Sequence, residues 1–262
     1  MHKFKISANA RDFLRTFDLG APEIRLVYAL FFVMQRIESN QSINEGETIR
    51  AYLSDLRKSA LPPERGTRLL RCVIDRLHKT DLFKVLNVTN CSQFIEYQFG
   101  DAFIDKIWDV PTRYVVANVK EIRECRTSHE IHFLMLVWGC HKQTYPYFEL
   151  RADEWGDRSC QKRWKLAAAR ISKRLGYTLV LCPDIQQFSR TLRRVKVRVM
   201  TQGCIWYRKS FYSSSGCTEL YEAKDGACRK LTNQQLIERR IGSVFVHDGQ
   251  EPDEVSLLDG ET

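Results

Sequence analysis

The stretch SCQKRWKLAAARISKRLG, Ser159–Gly176, decides how the chain is read. It predicts one helix, Cys160 to Leu175. Ser159 supplies a capping hydroxyl and Gly176 the left-handed stop. At about 100° per residue, with Ile171 at zero, Trp164, Ala167, Ala168, Ile171 and Leu175 fall between about −40° and +60°. Lys162, Arg163, Lys165, Arg170, Lys173 and Arg174 fall between about 120° and 300°. One face is built to pack. The other carries cations and no acid, and like charges three or four residues apart repel. Such a face calls for a counter-anion.

Working outward, Tyr177–Cys182 and Val195–Met200 alternate like two strands, joined through a basic loop. Arg190, Arg193, Arg194, Lys196 and Arg198 make this hairpin cationic. Arg194, Lys196 and Arg198 share one strand face, and Val195, Val197 and Val199 the other. Upstream, Ser128 caps a predicted helix over His129–His141, and Leu150–Trp155 reads as a short helix. The order is helix, short helix, long helix, hairpin.

The same order occurs earlier. Pro22 opens a helix from Glu23 to Ile37. Thr48–Ser59 reads as a short helix and Glu64–Thr80 as the next. Leu82–Val88 and Phe94–Phe99 alternate as a hairpin, and a short helix near Ala10–Phe17 precedes the whole. Glu23-Ile24 returns as Glu130-Ile131, Arg50-Ala51 as Arg151-Ala152, and Arg76-Leu77 as Arg174-Leu175. In the first copy Leu69, Leu70, Val73 and Leu77 form the apolar stripe. Arg65, Arg68, Arg71, Arg76 and Lys79 lie opposite, diluted by Glu64 and Asp75.

Helix–helix–helix–hairpin is the winged-helix arrangement, whose third helix enters a major groove. The expected fold is therefore α+β: two tandem winged-helix domains, residues 1–110 and 111–202, and a C-terminal extension over 203–262. Asn233–Arg240 reads as a helix there, ahead of an acidic tail.

Composition agrees with a globular chain. Of 262 residues, 44% are hydrophobic and 28% charged, which excludes wholesale disorder. No apolar stretch reaches ~18 residues, so no membrane partner is expected. No leader peptide is apparent at the start, and a cytoplasmic protein is expected. The 41 Lys and Arg outnumber the 32 Asp and Glu, giving a net charge of +9. Between Arg158 and Arg198 the only acid is Asp184, while Ser243–Thr262 holds acids and no Lys or Arg. A concentrated basic stretch is the footprint expected for a polyphosphate partner.

Enzymatic signatures are missing. There is no G-x-x-x-x-G-K-[ST], no G-x-G-x-x-G, no H-E-x-x-H and no G-x-S-x-G. His129, His132, Cys140 and His141 lie along one predicted helix, which cannot wrap a tetrahedral zinc. The nine Cys include no Cys-x-x-Cys pair, so neither a metal cofactor nor a disulfide framework is expected. Glu149, Asp153, Glu154 and Asp157 are the only carboxylates clustered enough for a metal-dependent nuclease. They are better suited to capping the turn before the basic helix. No catalysis and no cofactor are expected.

The element order, Glu130-Ile131 at the opening of the second copy, and the Lys162–Arg174 helix followed by Arg193–Val199 together resemble the plasmid replication initiators of tandem winged-helix type. The resemblance covers roughly Pro22 to Met200. It implies binding of repeated origin sequences in duplex DNA, contact with replication machinery, and a homodimer formed through the first domain. The expected contacts are Lys162, Arg163, Lys165, Arg170, Lys173 and Arg174, with Arg190, Arg193, Arg194, Lys196 and Arg198 on the backbone. Arg65, Arg68 and Arg71 would serve the first domain. A winged-helix transcriptional regulator, contacting transcription machinery, is the alternative. An RNA-binding or protein-interaction module using the same basic face is the second.

Overall fold

The computed structural model describes residues 2–38, 47–59, 61, 67–89, 93–108, 114–185, 191–201, 212 and 219–241. Within them one series of elements runs twice. The first is β1 (Lys3–Ser7), α1 (Ala8–Leu14), α2 (Ala21–Glu38), β2 (Ile49–Tyr52), α3 (Leu53–Ser59), α4 (Arg68–Leu77), β3 (Phe83–Val88) and β4 (Phe94–Phe99). After α5 (Asp101–Trp108) the second follows: β5 (Tyr114–Asn118), α6 (Val119–Glu124), α7 (Ser128–Cys140), β6 (Tyr147–Arg151), α8 (Ala152–Trp155), α9 (Arg158–Leu175), β7 (Thr178–Ile185) and β8 (Leu192–Met200).

The repeat extends to caps. Ser7 Oγ accepts from Ala10 N at 2.9 Å to start α1, and Asn118 Oδ1 accepts from Lys120 N at 3.1 Å to start α6. The two leading strands pair with each other. β1 and β5 run antiparallel from Lys3 opposite Asn118 to Ser7 opposite Tyr114, centred on Lys5 opposite Val116. Equivalent strands paired about their centres give the junction a local twofold. Phe4 packs from this ribbon onto Tyr28, Phe31 and Phe32 of α2. α2 and α7 pack together beneath it, and buried residues of both halves form one contiguous hydrophobic cluster.

Several expectations change. Residues 3–7 and 114–118 are strands, and the chain from 8 to 14 is the helix. The predicted short helices over Thr48–Ser59 and Leu150–Trp155 each begin as a strand, β2 and β6, before turning helical. Four- or five-residue strands with every second residue buried are too short for periodicity to tell from a helical turn. α7 is capped by Thr127 rather than Ser128, and α9 by Asp157 rather than Ser159. Leu69 is exposed, and Ile74 takes its place in the α4 stripe. Glu64, the turns at Asn40–Gly46 and Ser213–Gly216, most of the first hairpin's turn, the basic loop's residues 186–190 and the acidic tail lie outside the described residues.

The C-terminal extension joins the second half. β9 (Tyr221–Lys224) pairs with the outer edge of β7, and β10 (Ala227–Lys230) with β9, giving the order β10-β9-β7-β8-β6. Asp225 and Gly226 turn between them with positive φ, as a tight hairpin requires. Val180, Cys182, Tyr212, Leu220 and Leu231 form a small second core, with Leu236 of α10 (Asn233–Ile241) packed against it. In the first half the sheet has three strands among the described residues, β2-β4-β3. No helix among the described residues is long and apolar enough to cross a membrane.

Candidate nucleic-acid interface

α9 is held on several sides. Asp157 Oδ1 accepts from Cys160 N at 2.9 Å, and these amide bonds hold the Asp157 carboxyl below its usual range. Gly176 ends the helix at φ 67°. α7 packs along one side and β9 and β10 along another. Trp164, Ala167, Ala168 and Ile171 are buried as projected, and Ala169 and Ser172 are buried with them.

The six expected cations of α9 separate into two groups. Four are engaged with the protein. Lys165 Nζ lies 3.7 Å from the centre of the Tyr221 ring and 5.5 Å from that of Trp155, and burial lowers its pKa. Arg170 pairs with the buried Glu130 of α7, whose other oxygen accepts from Arg126 N at 2.8 Å. Arg174 donates to Glu121 O at 2.9 Å and reaches Cys125 Sγ at 3.3 Å, docking α9 on α6. Lys173 is exposed at its end, but its methylenes lie under Gly226, where a Cβ would meet Cδ at 3.1 Å. Lys162 and Arg163 are exposed and form no ion pair among the described residues.

The exposed sector of α9 is therefore narrower than the projected arc. It runs through Arg158, Ser159, Lys162, Arg163, Leu166, the half-exposed Arg170 and Lys173, within about 140° of the helix circumference. Leu166 sits near its middle, 45% exposed. Its place among the cations is set in the sequence itself, four residues after Lys162 and four before Arg170.

The hairpin is similarly reduced. Arg194 lies between Glu149 (2.8 Å) and Asp184 (3.4 Å), which raise its pKa. Lys196 Nζ stands 4.2 Å from the Tyr147 ring centre. Arg198, opposite Val180, is buried on the sheet face that carries the second core, so it is no surface group. Arg193 is exposed. Arg190 and Arg65 lie outside the described residues. On α4, Arg68 and Arg71 are exposed beside Leu69, Cys72 and Asp75. Arg76, also projected outward there, pairs at 2.8 Å with the buried Glu23 of α2. Gly20 makes room for that carboxylate, since a Cβ there would meet Oε2 at 2.5 Å.

The carboxylates weighed for metal chemistry all have structural occupations. Glu149 holds Arg194, Asp153 lies 3.3 Å from Arg151, and Asp157 caps α9. Glu154 receives both arms of Arg15, the residue that ends α1, at 3.0 and 2.5 Å, and caps Arg151 N at 2.8 Å. Its carbonyl accepts from Trp164 Nε1 at 2.6 Å. The first half thus grips the turn that launches α9. Of the His/Cys cluster, His129 packs edge-on against Trp164, and His141 Nδ1 meets Trp138 O at 2.9 Å. His132 is buried, which pushes its pKa down to about 3, with Arg15 and His129 adding to the effect. No metal-binding group of three or more His, Cys, Asp or Glu occurs among the described residues.

No protein family model matches the sequence, and no curated protein matches it. Among solved structures, the fold is similar to that of the Pi initiator protein in complex with iteron DNA. The TM-score is 0.56 at 13% identity, over 77% of this chain and 98% of the other.

Proposed function

We propose that the chain binds double-stranded DNA sequence-specifically, as a replication initiator recognising origin repeats. In this reading each half is a winged-helix unit, residues 1–110 and 111–202, and the extension braces the second. The observation that carries it is the exposed sector of α9. Lys162 and Arg163 project, without an ion pair among the described residues, from a helix that the protein fixes at both ends and along two sides. A rigid helix with free cations suits a major groove, where backbone contacts position and base edges specify. Arg193 reaches the flanking backbone, and Arg68 and Arg71 of α4 serve a second groove. The similarity in fold to an initiator solved with iteron DNA supports the role. The reading requires no catalysis and no cofactor.

The test is a salt-dependent anisotropy titration of the full chain with duplex DNA. If about 6 to 10 phosphates are neutralised, affinity falls by ~10³–10⁵ between 50 and 200 mM salt. Absence of binding at 50 mM, or stronger competition by structured RNA than by duplex, overturns it.

A further inference from the structure

We infer that Leu166 is a specificity-determining residue that reads thymine methyl groups in the major groove. The inference rests on the duplex-binding reading above and deepens it. Leu166 lies near the middle of the face that α9 leaves to solvent among the described residues, with Lys162 and Arg163 one turn before it and Arg170 and Lys173 after it. Those neighbours fix the occupant. A cationic rim attracts a polyanion, and burying it against an apolar protein surface would cost the desolvation of unpaired charges. Duplex DNA offers one apolar group at groove depth, the thymine C5-methyl. Every other large apolar side chain of α9 is buried or half-buried.

The first half repeats the device. α4 exposes Leu69, 42% accessible, between Arg68 and Arg71. Each long helix of the proposed DNA-facing pair thus sets one bare leucine among arginines or lysines. The two leucines occupy different positions along their helices, so their target thymines differ in placement. Cations give affinity for any sequence, and the leucines give preference among sequences.

The experiment enriches a random duplex library on the full chain. It then compares the enriched duplex with copies in which single thymines are replaced by deoxyuridine, which removes only the methyl. Burying one such carbon is worth about 3–5-fold in affinity. Wild type should lose about that factor at one or two thymines. Leu166→Ala should bind both duplexes alike, at the wild-type affinity for the deoxyuridine copy, with the salt slope unchanged. Lys162→Ala/Arg163→Ala should weaken both equally and keep the ratio. Indifference of wild type to every replacement overturns the inference, as does a Leu166→Ala protein that still distinguishes the two duplexes at the same thymines. A wild type that binds no duplex overturns the functional proposal itself, a result separable from loss of methyl discrimination alone.

Discussion

The two halves share an order of elements and differ in what they do with their last helix. α9 runs from Arg158 to Leu175, is capped by Asp157, ends on a left-handed glycine and is flanked by a five-stranded sheet. α4 runs only from Arg68 to Leu77. Its Thr67 makes no side-chain capping bond, its terminal His78 stays right-handed, and its sheet has three strands among the described residues. The exposed face of α4 includes Asp75, whereas that of α9 has no acid. One frame therefore yields a long, braced, purely cationic helix and a shorter one of mixed charge. The bracing consumes cations. Lys165, Arg170 and Arg174 fasten α9 to its neighbours, and the remainder can face a partner.

The largest expected effect separates the two helices in binding. Lys162→Ala/Arg163→Ala should weaken duplex affinity by about 100-fold and lower the salt slope by about 2. Arg68→Ala/Arg71→Ala should cost less than about 10-fold, because Asp75 already opposes the phosphates on that face. Equal losses, read by anisotropy at one salt concentration, would remove the asymmetry.

Stability sharpens the comparison through Glu23 and Glu130, the residues behind the repeated Glu-Ile pair. Each is buried in the first turn of its long helix and each meets an arginine of the following long helix. Arg170 is less exposed than Arg76, and Glu130 also accepts from Arg126 N. Glu130→Ala should therefore cost about 2–3 kcal/mol and Glu23→Ala about 1–2. Urea unfolding measures both, and a reversed order would show that Arg76 is the tighter clamp.

The Glu-Ile pairs are followed directly by Arg25 and His132, and both face the boundary between the halves. Arg25 donates to Cys125 O, and His132 is buried near Arg15 and His129. Only His132 titrates in a useful range. Folded, it stays neutral to about pH 3; unfolded, it takes up a proton near 6.5. Between those values the unfolded chain binds more protons. Its contribution is complete above pH 6.5 and declines as pH falls, by up to about 1.4 kcal/mol per unit. Unfolding free energy should drop by roughly 1–2 kcal/mol from pH 7 to 5, and His132→Leu should flatten that slope. A slope unchanged in the variant would place the sensitivity elsewhere.

The basic helix, its buried stripe and the doubled order of elements were legible from periodicity and punctuation. What escaped was of two kinds. The partners of Arg170, Arg174 and Arg194 come from other elements, so a projection of one helix or strand cannot distinguish a cation that clamps from one that waits. β9 and β10 are different. YEAK and ACRK flank Asp225-Gly226, a hairpin signal present in the sequence, but four-residue strands carry too little alternation to stand out. The leading strands β1 and β5 were hidden likewise, although Ser7 and Asn118 at their ends are ordinary helix caps.

The smallest expected effect compares the two helix ends directly. Gly176 has φ 67° and ψ 24°, and a Cβ built there meets nothing within 4 Å. Gly176→Ala therefore carries only the backbone cost of an L-residue in the left-handed region, about 1 kcal/mol. His78, at φ −61°, pays no such cost, and His78→Ala should stay within about 0.5 kcal/mol. Neither substitution touches the exposed sector of α9, so duplex affinity should hold in both. Loss of affinity in Gly176→Ala alone, with stability near wild type, would show that the C-terminal stop also sets the pitch at which α9 meets its groove.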